Sequence, residues 1–210
     1  MASKKRIIST KVLPIELSQN LDKAGIELFQ HDFISIVPSS NLGEVSNQIV
    51  MISSKNALYE GLILKDKLVY CVGSKTAEAI AAFGGKVVEI FENSEEMSIA
   101  VSLLNKPASF VCGKRRMPEV EKAFSINDLE IIEAYDTILT PSKIEGEFEA
   151  ALFYSPSGVE SFYSSNSFKG KAICIGSTTE KEALKQGVAT QISKESTIES
   201  VVEATIEELK

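Results

Sequence analysis

Five short segments rich in Gly, Ser, Thr or basic residues follow apolar runs: Ser53–Asn56, Gly73–Thr76, Gly113–Arg116, Ser155–Gly158 and Gly176–Thr179. Glycine lets a backbone approach a ligand closely, and Ser or Thr hydroxyls bind ligands or cap a following helix. Free N–H groups and the dipole at a helix N-terminus favour carboxylates and phosphates. The segments therefore predict a site for an anionic ligand, although a simple helix cap accounts for each one taken singly.

The candidate ligand-binding residues are the polar and glycine positions of four of these segments: Ser53, Ser54, Asn56, Gly73, Thr76, Ser155, Ser157, Gly158, Gly176, Thr178 and Thr179. The segment Gly113–Arg116 adds three cations, which suit an anion but equally form a solvated surface turn. The chain has no P-loop pattern and no GxGxxG pattern, so a nicotinamide or flavin site is not expected.

Tyr135 is the candidate catalytic residue. A phenol that faces a cleft can donate a proton or hold a leaving hydroxyl, whereas the alternative is a packing residue at a domain junction. His31 is the only histidine, and we expect it at the surface or at a helix end. The cysteines, Cys71, Cys112 and Cys174, are widely spaced and predict free thiols in apolar strands. This inventory argues against a His-based triad, a metal site or an organic cofactor.

Short apolar runs alternate with helical patterns, which predicts βαβ units and parallel sheets. The predicted strands are Arg6–Thr10, Phe33–Val37, Ile49–Ile52, Leu68–Val72, Val87–Ile90, Ser109–Cys112, Ile131–Leu139, Ala150–Tyr154 and Ala172–Ile175. Helical spacing is predicted for Leu17 through Leu28, from Thr76 to Gly84, from Thr179 to Gly187, and after a capping-box spacing at Ser196–Glu199.

The chain contains an internal repeat. The segment 52–58 resembles 153–159, and 70–77 resembles 173–180, at an offset of about 101 to 103 residues, which is half the chain. Because these copies begin near residues 50 and 150, residues 1–31 must complete a domain elsewhere. We therefore predict two similar parallel-sheet α/β domains, one discontinuous (1–33 and 134–210) and one inserted (34–133). The extended segments Phe33–Val37 and Ile131–Leu139 join them, with a cleft between them.

The net charge of −7 and the pI of about 5.0 argue against nucleic acid or an anionic membrane as the main partner. The basic N-terminus, Met1–Arg6, is not followed by an apolar stretch of signal-peptide length, and no apolar run is long enough to span a membrane. These features predict a cytoplasmic protein with a small-molecule partner.

The joint order and spacing of several short motifs resembles the uroporphyrinogen-III synthases over almost the whole chain. The motifs are Ser-Ser-Lys-Asn-Ala (53–57), Val-Gly-Ser-Lys-Thr-Ala (72–77), Cys-Gly-Lys-Arg-Arg (112–116), Tyr-Asp-Thr (135–137), Ser-Pro-Ser-Gly-Val (155–159), Ile-Gly-Ser-Thr-Thr (175–179) and Ser-Thr-Ile-Glu-Ser (196–200). The resemblance implies a lyase of tetrapyrrole and heme biosynthesis. Such an enzyme closes hydroxymethylbilane with inversion of ring D and loss of water, without a cofactor.

The resemblance also implies residue roles. Tyr135 matches the family's tyrosine and is expected to assist departure of the hydroxyl, while Thr76, Thr179, Ser54 and Ser155 match residues expected to hold substrate carboxylates. Ser53 stands where the family often has Thr, and the basic loop is short. A monomer is expected. The alternatives are a non-catalytic two-lobed protein that binds a small anion, and a homologue that has lost activity.

Overall fold

Eleven strands form in the computed structural model, which describes residues 4–40, 42–116, 118–125 and 127–210. Residues 1–3 of the basic N-terminus lie outside the described residues. The strands are β1 (Lys5–Ser9), β2 (Ile26–Gln30), β3 (Ile34–Pro38), β4 (Ile49–Ile52), β5 (Leu68–Val72), β6 (Val87–Phe91), β7 (Ala108–Gly113), β8 (Leu129–Leu139), β9 (Ala150–Phe153), β10 (Lys171–Cys174) and β11 (Ala189–Ile192).

The same described residues form seven α-helices, together with a 3₁₀ helix at Lys55–Ala57. The α-helices are α1 (Ile15–Lys23), α2 (Ser74–Ala82), α3 (Ser94–Ser102), α4 (Glu119–Lys122), α5 (Pro156–Tyr163), α6 (Ser177–Leu184) and α7 (Ile198–Glu208). No described helix is long and apolar enough to cross a membrane.

The chain divides into two compact units. Unit 1 comprises Met1–Ser35 and Ile138–Lys210, and unit 2 comprises Ile36–Thr137. The chain passes from one unit to the other within β3 and again within β8. The internal repeat predicted these boundaries after residues 33 and 133.

Unit 1 contains one five-stranded sheet in the order β11-β10-β9-β1-β2, and its neighbouring strands are parallel. The central strand β9 is buried along its whole length, as expected for a strand covered on both faces. One apolar core includes Phe33, Phe153 and Phe162, and the other includes Ile7 and Leu152. The parallel order confirms the predicted α/β class.

Unit 2 contains a six-stranded sheet in the order β3-β8-β7-β4-β5-β6. The pairs β8–β7, β7–β4, β4–β5 and β5–β6 are parallel. Strands β4 and β7 are buried throughout and separate two apolar cores, one around Ile52 and Val111 and the other around Met51 and Phe110.

The two sheets share one spatial order when β11, β10, β9, β1 and β2 are matched with β6, β5, β4, β7 and β8. Corresponding central positions, taken from the strand registers, are 101 residues apart: Ile7 and Ala108, Leu28 and Leu129, and Ala150 and Ile49. The internal repeat therefore extends to the N-terminal strands, further than the motifs near residues 50 and 150 indicated.

Three local predictions were wrong. The first helix ends at Lys23, because Gly25 adopts a φ of 77° that breaks the helix, and Leu28 lies in strand β2 instead. The last helix is capped by Thr197, whose side chain accepts a hydrogen bond from Ser200 N, and not by Ser196. The repeat predicts a helix after the polar turn of 52–58, as after that of 153–159, but this turn leads into only three residues of 3₁₀ helix. Strand β11, which is short and partly polar, was not predicted.

Candidate functional site

Each sheet has a point where the chain connections leave in opposite directions along the sheet. In unit 2 this switch point lies between β4 and β7, and in unit 1 between β9 and β1. Ligands of open parallel α/β sheets bind at the carboxyl ends of the strands beside such points, because the outgoing loops part there. The residues that follow these four strands are therefore the first candidates for a site.

In unit 2 the carboxyl ends of β4 and β7 and the interior of β8 bring Ser54, Gly113 and Tyr135 together. Ser54 follows β4, Gly113 ends β7, and Tyr135 lies in β8 beside Gly113. The Ser54 side chain lies near enough to Tyr135 to lower the pKa of its phenol, although β7 lies between their strands. The predicted catalytic tyrosine and one predicted binding serine are thus neighbours at this edge of the sheet.

A break in the strand register directs the Tyr135 side chain. Cys112 pairs with Glu133 but Gly113 pairs with Tyr135, so Ala134 is an extra residue in β8. Ile132 and Ala134 both pack in the core around Ile52, and strict alternation would put Tyr135 on the opposite face. Tyr135 nevertheless packs against that same core. The bulge therefore changes the direction of this side chain, as bulges beside functional sites commonly do.

The environment of Tyr135 keeps its phenol protonated. Burial raises the pKa of Tyr135 above its ordinary value of 10.0, while the Ser54 side chain lowers it and neighbouring Cys112 raises it. Its side chain is only partly buried. A protonated phenol that is not sealed in the interior can donate a hydrogen bond or a proton at neutral pH.

The basic loop after β7 is tied to neighbouring carboxylates. Arg116 contacts Glu133 at 2.6 Å through Nη1 and Glu121 at 2.7 Å through Nε. Its side chain is only 19% exposed, so it fixes the loop to β8 and α4. Lys114 lies 3.4 Å from Asp136 and is half exposed. Of these two cations, Lys114 is the one that remains accessible to an anion.

The other predicted residues of unit 2 lie in the same loops. Ser53 is partly buried beside Ser54, and Asn56 is exposed and donates its backbone N–H to the Ser54 hydroxyl. One strand further along the sheet, Gly73 precedes α2 with a φ of 77°, a conformation that favours glycine. Thr76 in the first turn of α2 is 7% exposed.

In unit 1 the switch point brings Thr10, Ser155 and Gly158 together. Thr10 follows β1 and donates its hydroxyl to Leu152 O at 2.8 Å, while Ser155 caps α5 by accepting from Gly158 N at 3.0 Å. A Cβ at Gly158 would lie 3.3 Å from Ser155 Oγ and 3.5 Å from Thr10 Oγ1. Thr10 was not among the predicted residues. Its position at the end of the first predicted strand, Arg6–Thr10, was the signal that could have identified it.

The remaining predicted residues of unit 1 occupy two helix N-termini. Ser157 lies in the first turn of α5, Gly176 precedes α6, and Thr178 is exposed in the first turn of α6. Thr179 is 1% exposed, so its hydroxyl is even less accessible than that of Thr76. These placements put the predicted residues at the N-termini of α5 and α6, positions that favour anions in proteins generally.

The other titratable candidates belong to the scaffold. Cys71, Cys112 and Cys174 are buried free thiols, as predicted, and burial raises the pKa of Cys71 to about 11. His31 is partly buried after β2, with its ring 4.9 Å from that of Phe33. Within the described ranges, no group of three or more His, Cys, Asp or Glu side chains could hold a metal ion.

A profile of the family described as uroporphyrinogen-III synthase HemD matches residues 15–203. The chain belongs to this family. Its members are lyases of heme biosynthesis, and membership favours a synthase over a non-catalytic anion-binding protein. A comparison with curated proteins gave no match.

Solved structures of this family share the fold. A uroporphyrinogen-III synthetase from Helicobacter pylori has a TM-score of 0.67 at 16% identity, covering 97% of this chain and 99% of the other. A mutant uroporphyrinogen III synthase from Thermus thermophilus has a TM-score of 0.68 at 12% identity, covering 97% and 98%. At these identities the likeness supports the architecture, whereas the family profile supports the activity.

Proposed function

We propose that this chain cyclises hydroxymethylbilane to uroporphyrinogen III, with inversion of ring D and loss of water. Membership of the synthase family supports the reaction class, and the position of the Tyr135 phenol across Gly113, near Ser54, is the observation that carries the assignment of the chemistry. That position presents a protonated phenol beside the switch point of a parallel sheet, where such folds bind their ligands.

Tyr135 is the proposed proton donor. Loss of the substrate hydroxyl as water requires a proton on the leaving oxygen, and a phenol with a raised pKa holds that proton at neutral pH. The partner hydroxyl of Ser54 then stabilises the phenolate that remains, because a hydrogen bond to the charged form favours it. The proton that the pyrrole carbon releases when the ring regains aromaticity after closure balances the one given to the leaving water, and its return to Tyr135 restores the phenol for the next turnover.

The carboxylates of the substrate are the proposed ligands of the Ser, Thr and Gly loops in both units. Ser53, Asn56 and Gly73 in unit 2, with Ser155, Ser157, Gly158, Gly176 and Thr178 in unit 1, supply hydroxyls, an amide and backbone N–H groups at the starts of helices. Helix N-termini favour negative charge whatever the net charge of the protein. Thr76 and Thr179, which are almost fully buried, are proposed to orient the first turns of α2 and α6.

Much of the catalysis is proposed to be conformational. The linear substrate closes without inversion when it is free, so the enzyme must hold its ends where the inverting route is faster. Because the reacting groups are already held together in the complex, their translational and rotational entropy is lost on binding and not on reaching the transition state, which lowers the barrier. We further propose that the enzyme acts as a cytoplasmic monomer without a cofactor and without nucleic-acid or membrane partners.

Product analysis tests this function. The purified protein is supplied with hydroxymethylbilane, the products are oxidised to porphyrins, and the type I and type III isomers are separated by chromatography. Type III product is expected in proportion to the protein added. A type I product alone, formed at the rate seen without protein, would show that the chain binds or ignores the bilane but does not invert ring D.

A further inference from the structure

The side chain of Tyr135 crosses the end of the neighbouring strand β7 in the direction of Ser54. Tyr135 lies in β8 and Ser54 follows β4, and β7 runs between these two strands. The residue of β7 beside Tyr135 is Gly113. The preceding positions of β7 carry buried side chains such as Val111 and Cys112, so the absence of a side chain at residue 113 is what leaves room for the phenol.

The steric requirement is specific. A Cβ built on Gly113 would lie 2.7 Å from both Cε2 and Cζ of Tyr135 and 3.1 Å from its hydroxyl. Separations under 3.0 Å are essentially never found around real Cβ atoms, so one of the two groups must shift. The aromatic ring has little freedom to bend away, since it also packs against the core around Ile52. A side chain at residue 113 therefore fits only if the ring or the end of β7 moves, and either movement changes the position of the phenol relative to the strand.

We propose that Gly113 is a positioning residue that leaves room for the phenol of Tyr135 to lie across the end of β7; this inference rests on the proposed function of Tyr135. Gly113 has no group that takes part in chemistry and acts only through the tyrosine. The bulge at Ala134 directs the side chain toward the core face, and the bare backbone at Gly113 sets how closely it approaches the sheet.

The variant Gly113→Ala tests the proposal, because it adds one methyl group at the crowded point. A proton donor displaced by about 1 Å loses roughly 100-fold in rate. We expect kcat for type III product to fall about 10- to 100-fold, with a much smaller change in KM. In a Tyr135→Phe background the same substitution is expected to change kcat less than twofold, because the group that Gly113 positions is absent.

A second measurement does not depend on activity. Ultraviolet titration of the phenol, with Tyr135→Phe as the reference, gives the pKa of Tyr135 directly. Burial is the largest cause of its raised pKa, so displacement of the ring toward solvent is expected to shift the pKa downward, toward 10.0. If the wild-type protein forms no type III product, the proposed function fails, but this titration still decides whether Gly113 sets the position of Tyr135.

The matched control is Gly85→Ala in the same unit, where an added Cβ would lie 2.7 Å from Ile80 Cγ2. This variant creates a comparable clash away from Tyr135, and we expect it to lower stability while kcat and the phenol pKa stay unchanged. Two results would overturn the inference. One is an unchanged kcat and phenol pKa in a folded Gly113→Ala protein. The other is an equal loss of kcat in the wild-type and Tyr135→Phe backgrounds.

Discussion

The two units carry different groups at matching places in the same strand order. At the switch point of unit 2, Tyr135 crosses Gly113 and lies near Ser54, whereas at that of unit 1 the Thr10 and Ser155 hydroxyls surround Gly158. Position 54 precedes a 3₁₀ helix of three residues, while its counterpart, Ser155, caps an α-helix of eight. Unit 2 thus places the proposed proton donor beside its switch point, whereas unit 1 has a capped helix N-terminus at the matching place.

Each unit is assembled from both halves of the chain. Unit 1 takes β1, α1 and β2 from the first half and β9 through α7 from the second, and unit 2 takes the complementary elements. A repeat of about half the chain would be expected to give one domain per copy. The two copies have exchanged their first β-α-β segments, so that β1-α1-β2 packs in unit 1 and β7-α4-β8 packs in unit 2. For this reason the domain boundaries do not coincide with the boundaries of the copies.

The largest expected effect is the loss of activity when the tyrosine near the switch point of unit 2 is changed, compared with the same change in unit 1. Tyr135→Phe removes the proposed donor, and kcat for type III product is expected to fall about 100-fold or more, the usual contribution of general acid catalysis. Circular dichroism and thermal unfolding should remain close to wild type, because the ring still packs against the core.

The matched control is Tyr154→Phe, in unit 1. The phenol of Tyr154 lies 3.4 Å from Ser9 Oγ, burial raises its pKa, and its ring packs against an apolar core. This substitution is expected to leave kcat within about twofold and to cost about 1 kcal/mol of stability. Equal losses of activity in the two variants would mean that the chemistry does not distinguish the units.

Core truncations test whether the units are independent. Met51 and Leu152 occupy matching positions of β4 and β9, and both are fully buried. Met51→Ala or Leu152→Ala is expected to cost about 2–5 kcal/mol, from lost burial and the cavity left behind. Hydrogen exchange measured peptide by peptide should show the loss of protection only in the unit that carries the change. Loss throughout the chain in either variant would show that the units unfold as one.

We expect unit 2 to lose more stability than unit 1 at acid pH, because of the Glu130 carboxylate. Burial raises the pKa of Glu130, but hydrogen bonds from Ser109 and Ser46, with the charge of Lys67, outweigh it, so the pKa lies below 4.5. The contribution of this carboxylate to stability is complete above about pH 4.5 and is lost as the pH falls through the lowered pKa. The position of unit 1 that is 101 residues earlier holds Phe29, which packs against Phe148.

Glu130→Gln is the variant that measures this contribution. The free energy of unfolding in urea is expected to fall by about 1–3 kcal/mol at neutral pH, because hydrogen bonds to a charged acceptor are lost. The difference from wild type should shrink as the pH falls through the lowered pKa of Glu130, because both side chains are then neutral. A difference that stays constant with pH would show that packing, and not the carboxylate charge, supports this corner of the sheet.

The smallest expected effects concern the last helix of each copy. Thr197 caps α7 by accepting from Ser200 N at 3.1 Å, and Asn93 caps α3 by accepting from Glu96 N at 2.9 Å. Thr197→Ala and Asn93→Ala are each expected to cost about 1 kcal/mol in chemical denaturation. Ser196→Ala, at the position that the capping-box spacing favoured, should cost less than Thr197→Ala; the reverse order would place the cap at Ser196.

The sequence by itself determined the α/β class, nine of the strands and the segments that end them, because buried parallel strands are continuous apolar runs and their loops need Gly, Ser and Thr. It also singled out Tyr135 and Ser54 as separate candidates. It could not place β11, whose short and partly polar sequence has no clear period, nor strand β2, because Leu28 continues the helical spacing past Gly25.

Only the tertiary structure decided which strands are neighbours, and therefore which residues meet. Tyr135 and Ser54 are 81 positions apart in the numbering and come together because β7 inserts between β8 and β4 and ends in a glycine. The local sequence around Gly113 fits an ordinary strand end equally well. Gly113 matters because the Tyr135 ring passes over it. That ring is there because β8 pairs with β7, and no local sequence pattern specifies the pairing of distant strands.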